Sequence, residues 1–359
     1  MATKNFDGAK RNKADEFYTQ LSDIEKEMRF YREQFRGKVV FCNCDDPFES
    51  NFFKYFAINF KFLELKQLIA TCYIGSPIAN KELSLLPHES VENKTTKAPH
   101  KIVINEAVDE NNDGAFDLPD IILSLTKNKN NTLTRLNDDG DFLSAECIEL
   151  LKQADIVATN PPFSLFHEFI DLIIKHKKHF IIIGNQNAIT YKDIFALIKA
   201  NKLWLGLSMN GSNRWFRVPN DYAFSENAKH KVDEQGYHYI FVNNVVWYTN
   251  MDTPKRHERI TFYKKYSKTE HKHFDNYNAI NVDKVTDIPT DYFGDIGVPI
   301  SFMHKYNPEQ FEIVDALNRY ALLDTQNTNE AVRNAKSHTC NINGIATYFR
   351  IVVRKKENT

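Results

Sequence analysis

The chain has 359 residues, 42% of them hydrophobic and 26% charged, and its 46 Lys and Arg against 47 Asp and Glu leave a formal net charge of -1. That length buries one large or two modest cores, and the near-neutral balance excludes a uniformly basic surface, so any nucleic-acid contact must come from local clusters of cations. No apolar run approaches the roughly 18 residues of a membrane span, and the Met-Ala-Thr-Lys-Asn start carries no apolar core, so the expectation is a cytoplasmic protein without membrane contact.

Residues 15–35 place Phe17, Leu21, Ile24, Met28 and Tyr31 at near-helical spacing, which predicts an amphipathic helix ended by Gly37. A first strand follows at 38–42 and breaks at Asn43-Cys44-Asp45-Asp46-Pro47. Asp45 and Asp46, at a strand's carboxyl end, suit either an ammonium or hydroxyl ligand or the capping of the helix through Phe52, Phe53 and Phe56. The second strand is 66–72. From 75 to about 132 the chain turns polar, with one β-like island at 101–105, and reads as an insertion too long for an ordinary loop. A third strand at 133–136 leads to Asp138-Asp139-Gly140-Asp141-Phe142, a helix at 144–152, and a fourth strand that runs into Asn160-Pro161-Pro162-Phe163. The fifth strand, 179–184, carries the continuous apolar run of a buried parallel strand. A helix at 191–200 and late strands at 203–207 and 242–248 complete an alternating βα order. Five scattered cysteines fit a reducing compartment and, with no further ligand spacing, no metal site.

Asn160 to Phe163 carries the chemistry. The two prolines supply no backbone donor and must end the ladder in a rigid turn at the carboxyl edge of the sheet, where α/β proteins bind ligands. The side-chain carbonyl of Asn160 and the main-chain carbonyl of Pro161 can both accept from one exocyclic amine, localising a lone pair otherwise delocalised into a base, while the Phe163 ring stacks on the base face. A base reaches such a turn only when flipped from its helix. Between the late strands, Asn210 to Pro219 sets Arg214 and Arg217 around Trp215 and Phe216. On a loop this segment would contact phosphates and stack an aromatic, whereas in an ordinary hairpin its rings would simply pack.

Five blocks, Phe17-Tyr18-Thr19-Gln20-Leu21, Phe41 to Pro47, Gly140-Asp141-Phe142, Asn160 to Ser164 and Lys305-Tyr306-Asn307-Pro308-Glu309-Gln310-Phe311, resemble the EcoRI-type adenine-specific DNA methyltransferases in order and spacing over nearly the whole chain. The resemblance implies a doubly wound, Rossmann-like class I methyltransferase sheet of seven strands, the last antiparallel, within residues 1–250, and a DNA target-recognition region at 251–359. It implies S-adenosylmethionine as cofactor, with Phe17, Tyr18, Asn43, Asp45, Asp46, Asp141, Phe142 and Asn160 around it, and Asn160, Pro161, Pro162 and Phe163 as the catalytic turn. Asp141 would accept from the cofactor's adenine amino group and Phe142 lie against its face. Arg214, Trp215 and Arg217 would bind double-stranded DNA. A monomer working beside a cognate restriction endonuclease follows from the same resemblance, and an enzyme acting on RNA adenine or protein glutamine is the alternative that shares the turn. The sequence departs from other methyltransferases in having no glycine between Gly37 and Gly75 and no acid at the end of the second strand.

Overall fold

The computed structural model describes residues 17–45, 50–73, 99–110, 118–127, 130–218, 220, 222–317 and 340–356. The chain divides into two units, Met1–Asn185 with Gly206–Met251, and Gln186–Leu205 with Asp252–Thr359.

The first unit is built on a nine-stranded mixed sheet. Four short apolar strands form its parallel centre: β1 (Val39–Cys42), β2 (Gln67–Thr71), β5 (Ile156–Thr159) and β6 (His179–Asn185), in the order β2-β1-β5-β6. Every residue of β1 and β5 is buried, as a strand covered on both faces requires. On one face, Val40, Cys42, Leu68, Ala70, Ile156, Ala158, Ile181 and Ile183 share a core with α1 (Leu21–Met28), α2 (Asn51–Ile58) and Ile121 of α3 (Leu118–Lys127). The opposite face meets α4 (Ala145–Gln153) and α5 (Phe166–Lys175), Phe166 packing its ring 4.9 Å from that of Tyr248. This is the doubly wound α/β arrangement expected of the sequence.

The sheet is wider than the seven strands expected. The apolar island of the insertion is β3 (His100–Ile104), which pairs antiparallel with β2 and takes the place beside it. The third strand of the sequence, β4 (Thr132–Arg135), is thereby displaced to the sheet edge. On the other side, β9 (His238–Thr249) runs antiparallel to β6 and is flanked by β7 (Trp204–Val218) and β8 (His230–Val232). Residues 210–218, open between loop and hairpin in the sequence, continue β7 as strand. The first helix is shorter than its pattern. It spans Leu21–Met28, and a separate 3-10 turn, Arg32–Phe35, buries Phe35. Helix α3 lies within the segment expected to be a polar insertion, most of which falls outside the described residues.

Glu27 is a fully buried carboxylate of α1. It accepts from Tyr31 Oη at 3.0 Å and from the main-chain N–H groups of Leu207 and Ser208 at 2.9 and 2.6 Å. A Cβ on Gly206 would stand 2.3 Å from Glu27 Oε1, so only glycine lets β7 approach the carboxylate.

The second unit holds the sheet β10 (Ile280–Asn281), β11 (Ile296–Pro299), β15 (Arg350–Lys355) and β12 (Phe311–Leu317), with α6 (Lys192–Lys199) packed on β12. A small hairpin, β13 (Asn341–Ile342) with β14 (Ile345–Ala346), turns through Asn343 and Gly344, both at positive φ. The Lys305 to Phe311 block is a brace within this unit. Asn307, fully buried, donates to the carbonyls of His257 and Glu258 and accepts from the N–H of Glu309, while the Gln310 amide pairs with both main-chain groups of Ile260.

His304 Nε2 lies 3.1 Å from Gln186 Nε2. An amide NH2 only donates, so this ring nitrogen accepts, and burial depresses the His304 pKa to about 4. The unfolded chain, with an ordinary value near 6.5, therefore binds the proton more tightly. The stability this confers is full above pH 6.5 and is lost as pH falls toward 4, by up to about 3 kcal/mol. Denaturant titrations at pH 7 and pH 5 are expected to show a shallower pH dependence for His304→Gln than for the wild type. Equal dependence would mean that His304 is not held neutral.

Candidate active site

Asn160 follows β5 directly, and its side chain is 4% exposed. Its Nδ2 donates to the main-chain carbonyl of Phe17 at 2.9 Å. That carbonyl can only accept, so chemistry fixes which way the amide faces. Its Oδ1 is left buried with no hydrogen-bond partner. A buried acceptor without a donor costs about 1–3 kcal/mol, and such an exception needs a reason. A ligand's N–H supplies one.

Phe17, Tyr18 and Thr19 are pinned at three successive points. Phe17 O accepts from Asn160, Tyr18 N donates to Arg217 O at 3.0 Å, and Thr19 O accepts from Asn51 Nδ2 at 2.6 Å. The Phe17 ring is 7% exposed and sits in the core cluster, so the first block packs as well as frames the site. Pro161 and Pro162 are buried, and Phe163 is half-buried in a short 3-10 turn, Phe163–Leu165. The Phe163 ring meets Phe17 edge-on, with centroids 6.0 Å apart. Phe17 in turn lies 5.8 Å from Phe216 and 6.2 Å from Tyr222.

Behind the turn, the ends of β1 and β5 are joined through Asp45. Its carboxylate, 4% exposed, accepts from the hydroxyls of Thr159 and Ser50, and its N–H donates to Thr71 O at 3.1 Å. Ser50 Oγ also accepts from Phe52 N at 3.0 Å and is the N-cap of α2. Capping, one of the two roles left open for the aspartates from sequence, falls to Ser50, and Asp45 orients that cap and the residue before Asn160. Asp46 lies outside the described residues. Burial, then the nearby Asp45 charge, push the Cys42 thiol well above its ordinary pKa, which leaves it neutral.

A pocket opens at the carboxyl ends of β1 and β5, lined by Asn43, Cys44, Tyr73, Gly140, Asp141, Phe142 and Pro162. Three residues expected at the cofactor, Asn43, Asp141 and Phe142, meet there. Asn43 is 2% exposed, and neither its Nδ2 nor its Oδ1 has a hydrogen-bond partner. Asp141 accepts from Leu143 N at 3.0 Å, in the manner of an Asx turn, and also faces the pocket. Phe142 is buried with its ring 5.1 Å from that of Phe169. Gly140 has φ +77°, and a Cβ there would stand 2.0 Å from Cys72 O. Glycine alone allows this wall to close on the end of β2.

Arg214, Trp215 and Arg217 lie on β7 rather than on a loop, and alternation along the strand separates them. Arg214, on the side of the buried Phe216, faces Asp23 with Nε 3.8 Å from Oδ2. Trp215 and Arg217 project from the other side. The Trp215 ring packs 4.9 Å from Phe241, and the Arg217 guanidinium lies 3.8 Å from the Tyr237 centroid. Among the described residues no His, Cys, Asp and Glu cluster could hold a metal ion, and no helix is long and apolar enough to cross a membrane.

Sequence reasoning missed Thr159 and Ser50, and, within the block it singled out, the close approach that Gly140 permits. Ser50 was open to discovery as the N-cap of an apolar helical run. Thr159 carried no signal, since a threonine at a strand end is ordinary.

Residues 5–356 match the family model described as adenine-specific methyltransferase EcoRI. The chain is 44% identical to the Type II methyltransferase M.EcoRI of Escherichia coli, over 97% of this chain and 95% of that one. It is 37% identical to the Type II methyltransferase M.MgeORF184P of Mycoplasma genitalium over 98% and 99%, and 36% identical to M.MpnI of Mycoplasma pneumoniae over 98% of each. No solved structure matches the chain.

The Asp45 node predicts an asymmetric response at Thr159. Thr159→Val removes a hydroxyl donor from a buried carboxylate and is expected to cost about 1–3 kcal/mol of stability, whereas Thr159→Ser keeps the donor and recovers most of it. Chemical denaturation of both variants measures this. Equal losses would assign the cost to the methyl group.

Proposed function

The chain belongs to the EcoRI-type adenine-specific methyltransferase family, and from that premise we propose that it transfers a methyl group from S-adenosylmethionine to N6 of an adenine flipped out of duplex DNA, as the modification enzyme of a restriction-modification system. The observation that carries the reading is the unpartnered, buried Oδ1 of Asn160.

The cofactor supplies an electrophilic methyl group. The pocket residues fit it: the Asn43 amide offers a buried donor and acceptor that the fold leaves unused, Asp141 offers a carboxylate acceptor, and Phe142 an apolar wall. Asn160 Oδ1 accepts a hydrogen bond from the adenine N6 amine, with Pro161 O as the second acceptor, so that the nitrogen lone pair turns out of the ring's conjugation toward the methyl group, and the proton the amine sheds on methylation passes to water. Fixed in place before the base arrives, the acceptor needs no reorganisation during the reaction. Phe163, half-buried beside this turn, stacks on the flipped base and offsets part of the cost of unstacking it. Phe17 and Tyr18 frame the same turn, and Asp45 holds it from behind. Trp215 and Arg217 contribute to duplex binding, Arg214 being turned to Asp23 on the other face of β7, and residues 251–359 include the elements that recognise the target. The protein acts as a cytoplasmic monomer, beside an endonuclease that cuts the same site.

Asn160→Ala is expected to leave folding and cofactor affinity near wild type while raising the barrier of the chemical step by about 2–4 kcal/mol, that is, lowering the single-turnover rate by roughly 30- to 1,000-fold. Labelled cofactor, offered with duplex DNA, RNA and protein in parallel, gives the rate and the substrate class together. Wild-type turnover in the variant would remove Asn160 from the mechanism, and transfer to RNA or to protein instead of DNA would overturn the substrate.

A further inference from the structure

Residues 229–241 form a ribbon in which β8 pairs with β9 through His230↔Ile240, Lys231↔Tyr239 and Val232↔His238. Alternation places Lys229, Lys231, Tyr237, Tyr239 and Phe241 on one face, where they meet Trp215 of the neighbouring β7. The Lys231 ammonium lies 4.7 Å from the Trp215 centroid and 5.4 Å from that of Tyr239. The Lys229 ammonium lies 4.3 Å from the Phe241 centroid and 5.9 Å from that of Trp215. Both lysines are exposed. Their charges therefore rest on ring faces, which steady the side chains without neutralising them.

One carboxylate, Asp233, keeps its negative charge beside these rings, but the Arg217 guanidinium stacked on Tyr237 offsets it, so Lys229 and Lys231 leave the face net positive. Asp233 is spent on the hairpin turn, accepting from Gln235 N at 3.0 Å, Tyr237 N at 2.9 Å and Tyr239 Oη at 2.9 Å. Glu234 and Glu226 are exposed, the first in the hairpin turn and the second in the approach to β8. We propose that this face of the β8–β9 ribbon, through Lys229 and Lys231, is a clamp on the sugar-phosphate backbone of duplex DNA that carries no sequence readout. The inference rests on DNA being the substrate and adds where and how it is gripped. Two residues along a strand span about 7 Å, which sets two cations side by side along a line of regularly spaced anions. None of the five ribbon residues on this face, Lys229, Lys231, Tyr237, Tyr239 and Phe241, carries an amide to pair with a base edge, and Trp215 is packed against Phe241 instead of being free to wedge between bases. Contacts of this kind fix position and affinity and leave specificity to other elements.

The test compares wild type, Lys229→Gln/Lys231→Gln and Lys229→Arg/Lys231→Arg by fluorescence anisotropy, on three labelled duplexes of unrelated sequence, from 50 to 200 mM salt. The Gln pair is expected to reduce the slope of log affinity against log salt by about 2 and to weaken all three duplexes by the same factor, while the Arg pair keeps the wild-type slope. A normal slope in the Gln pair would overturn the clamp and leave DNA as the substrate. Loss confined to one duplex would make the lysines base readers and overturn it equally. If wild-type protein binds no duplex at any salt, the DNA reading itself fails and the clamp with it.

Discussion

One hydrogen bond fixes the geometry of the candidate site: Asn160 Nδ2 to the carbonyl of Phe17. The Phe17 carbonyl cannot donate, so the nitrogen of the amide is committed to it and the oxygen must face the other way. The acceptor is thereby aimed by an interaction within the folded chain itself. An amide free to rotate would present donor and acceptor to the base with comparable ease. The bond also explains why the Phe17 to Thr19 segment travels with Asn160 to Phe163 in the sequence pattern, although 143 positions separate their bonded members.

The same geometry needs a rigid backing. Thr159 lies in the sheet and Asn160 just beyond it, and the Thr159 hydroxyl is held by Asp45 at the end of the adjacent strand. Asp45 also holds Ser50, so one buried carboxylate ties two strand ends and a helix cap. A charge taken out of water is costly unless its lone pairs are met, and here two hydroxyls, of Ser50 and Thr159, donate to the carboxylate. Gly140 brings the opposite wall of the pocket onto Cys72, at a separation that any side chain would forbid.

The four central strands were legible because both of their faces are covered, which leaves uninterrupted apolar runs such as Val39-Val40-Phe41-Cys42 and Phe180-Ile181-Ile182-Ile183. The turn at Asn160 to Phe163 was legible because two prolines after a strand admit few structures. What sequence did not show is set by distant partners. The run at 101–105 reads as an island until β2 and β4 are seen on either side of it. The segment at 210–218 stays open between loop and hairpin because Asn, Gly and Ser favour turns, until β9 is seen paired with β7, which makes it strand. Asp45 was readable as an acid at a strand end, whereas its two hydroxyl partners, one of them 114 positions away, were not.

The central claim is that Asn160 Oδ1 accepts from the N6 amine of the flipped adenine. A double-mutant cycle on duplex binding tests it directly, pairing wild type and Asn160→Ala with duplexes carrying adenine or unsubstituted purine at the target position, in the presence of a non-reactive cofactor analogue. If the contact exists, removing both partners costs less than the sum of removing each, with a coupling energy of about 1–2 kcal/mol. Losses that add, with no coupling between the Asn160 amide and the N6 group, would contradict the account.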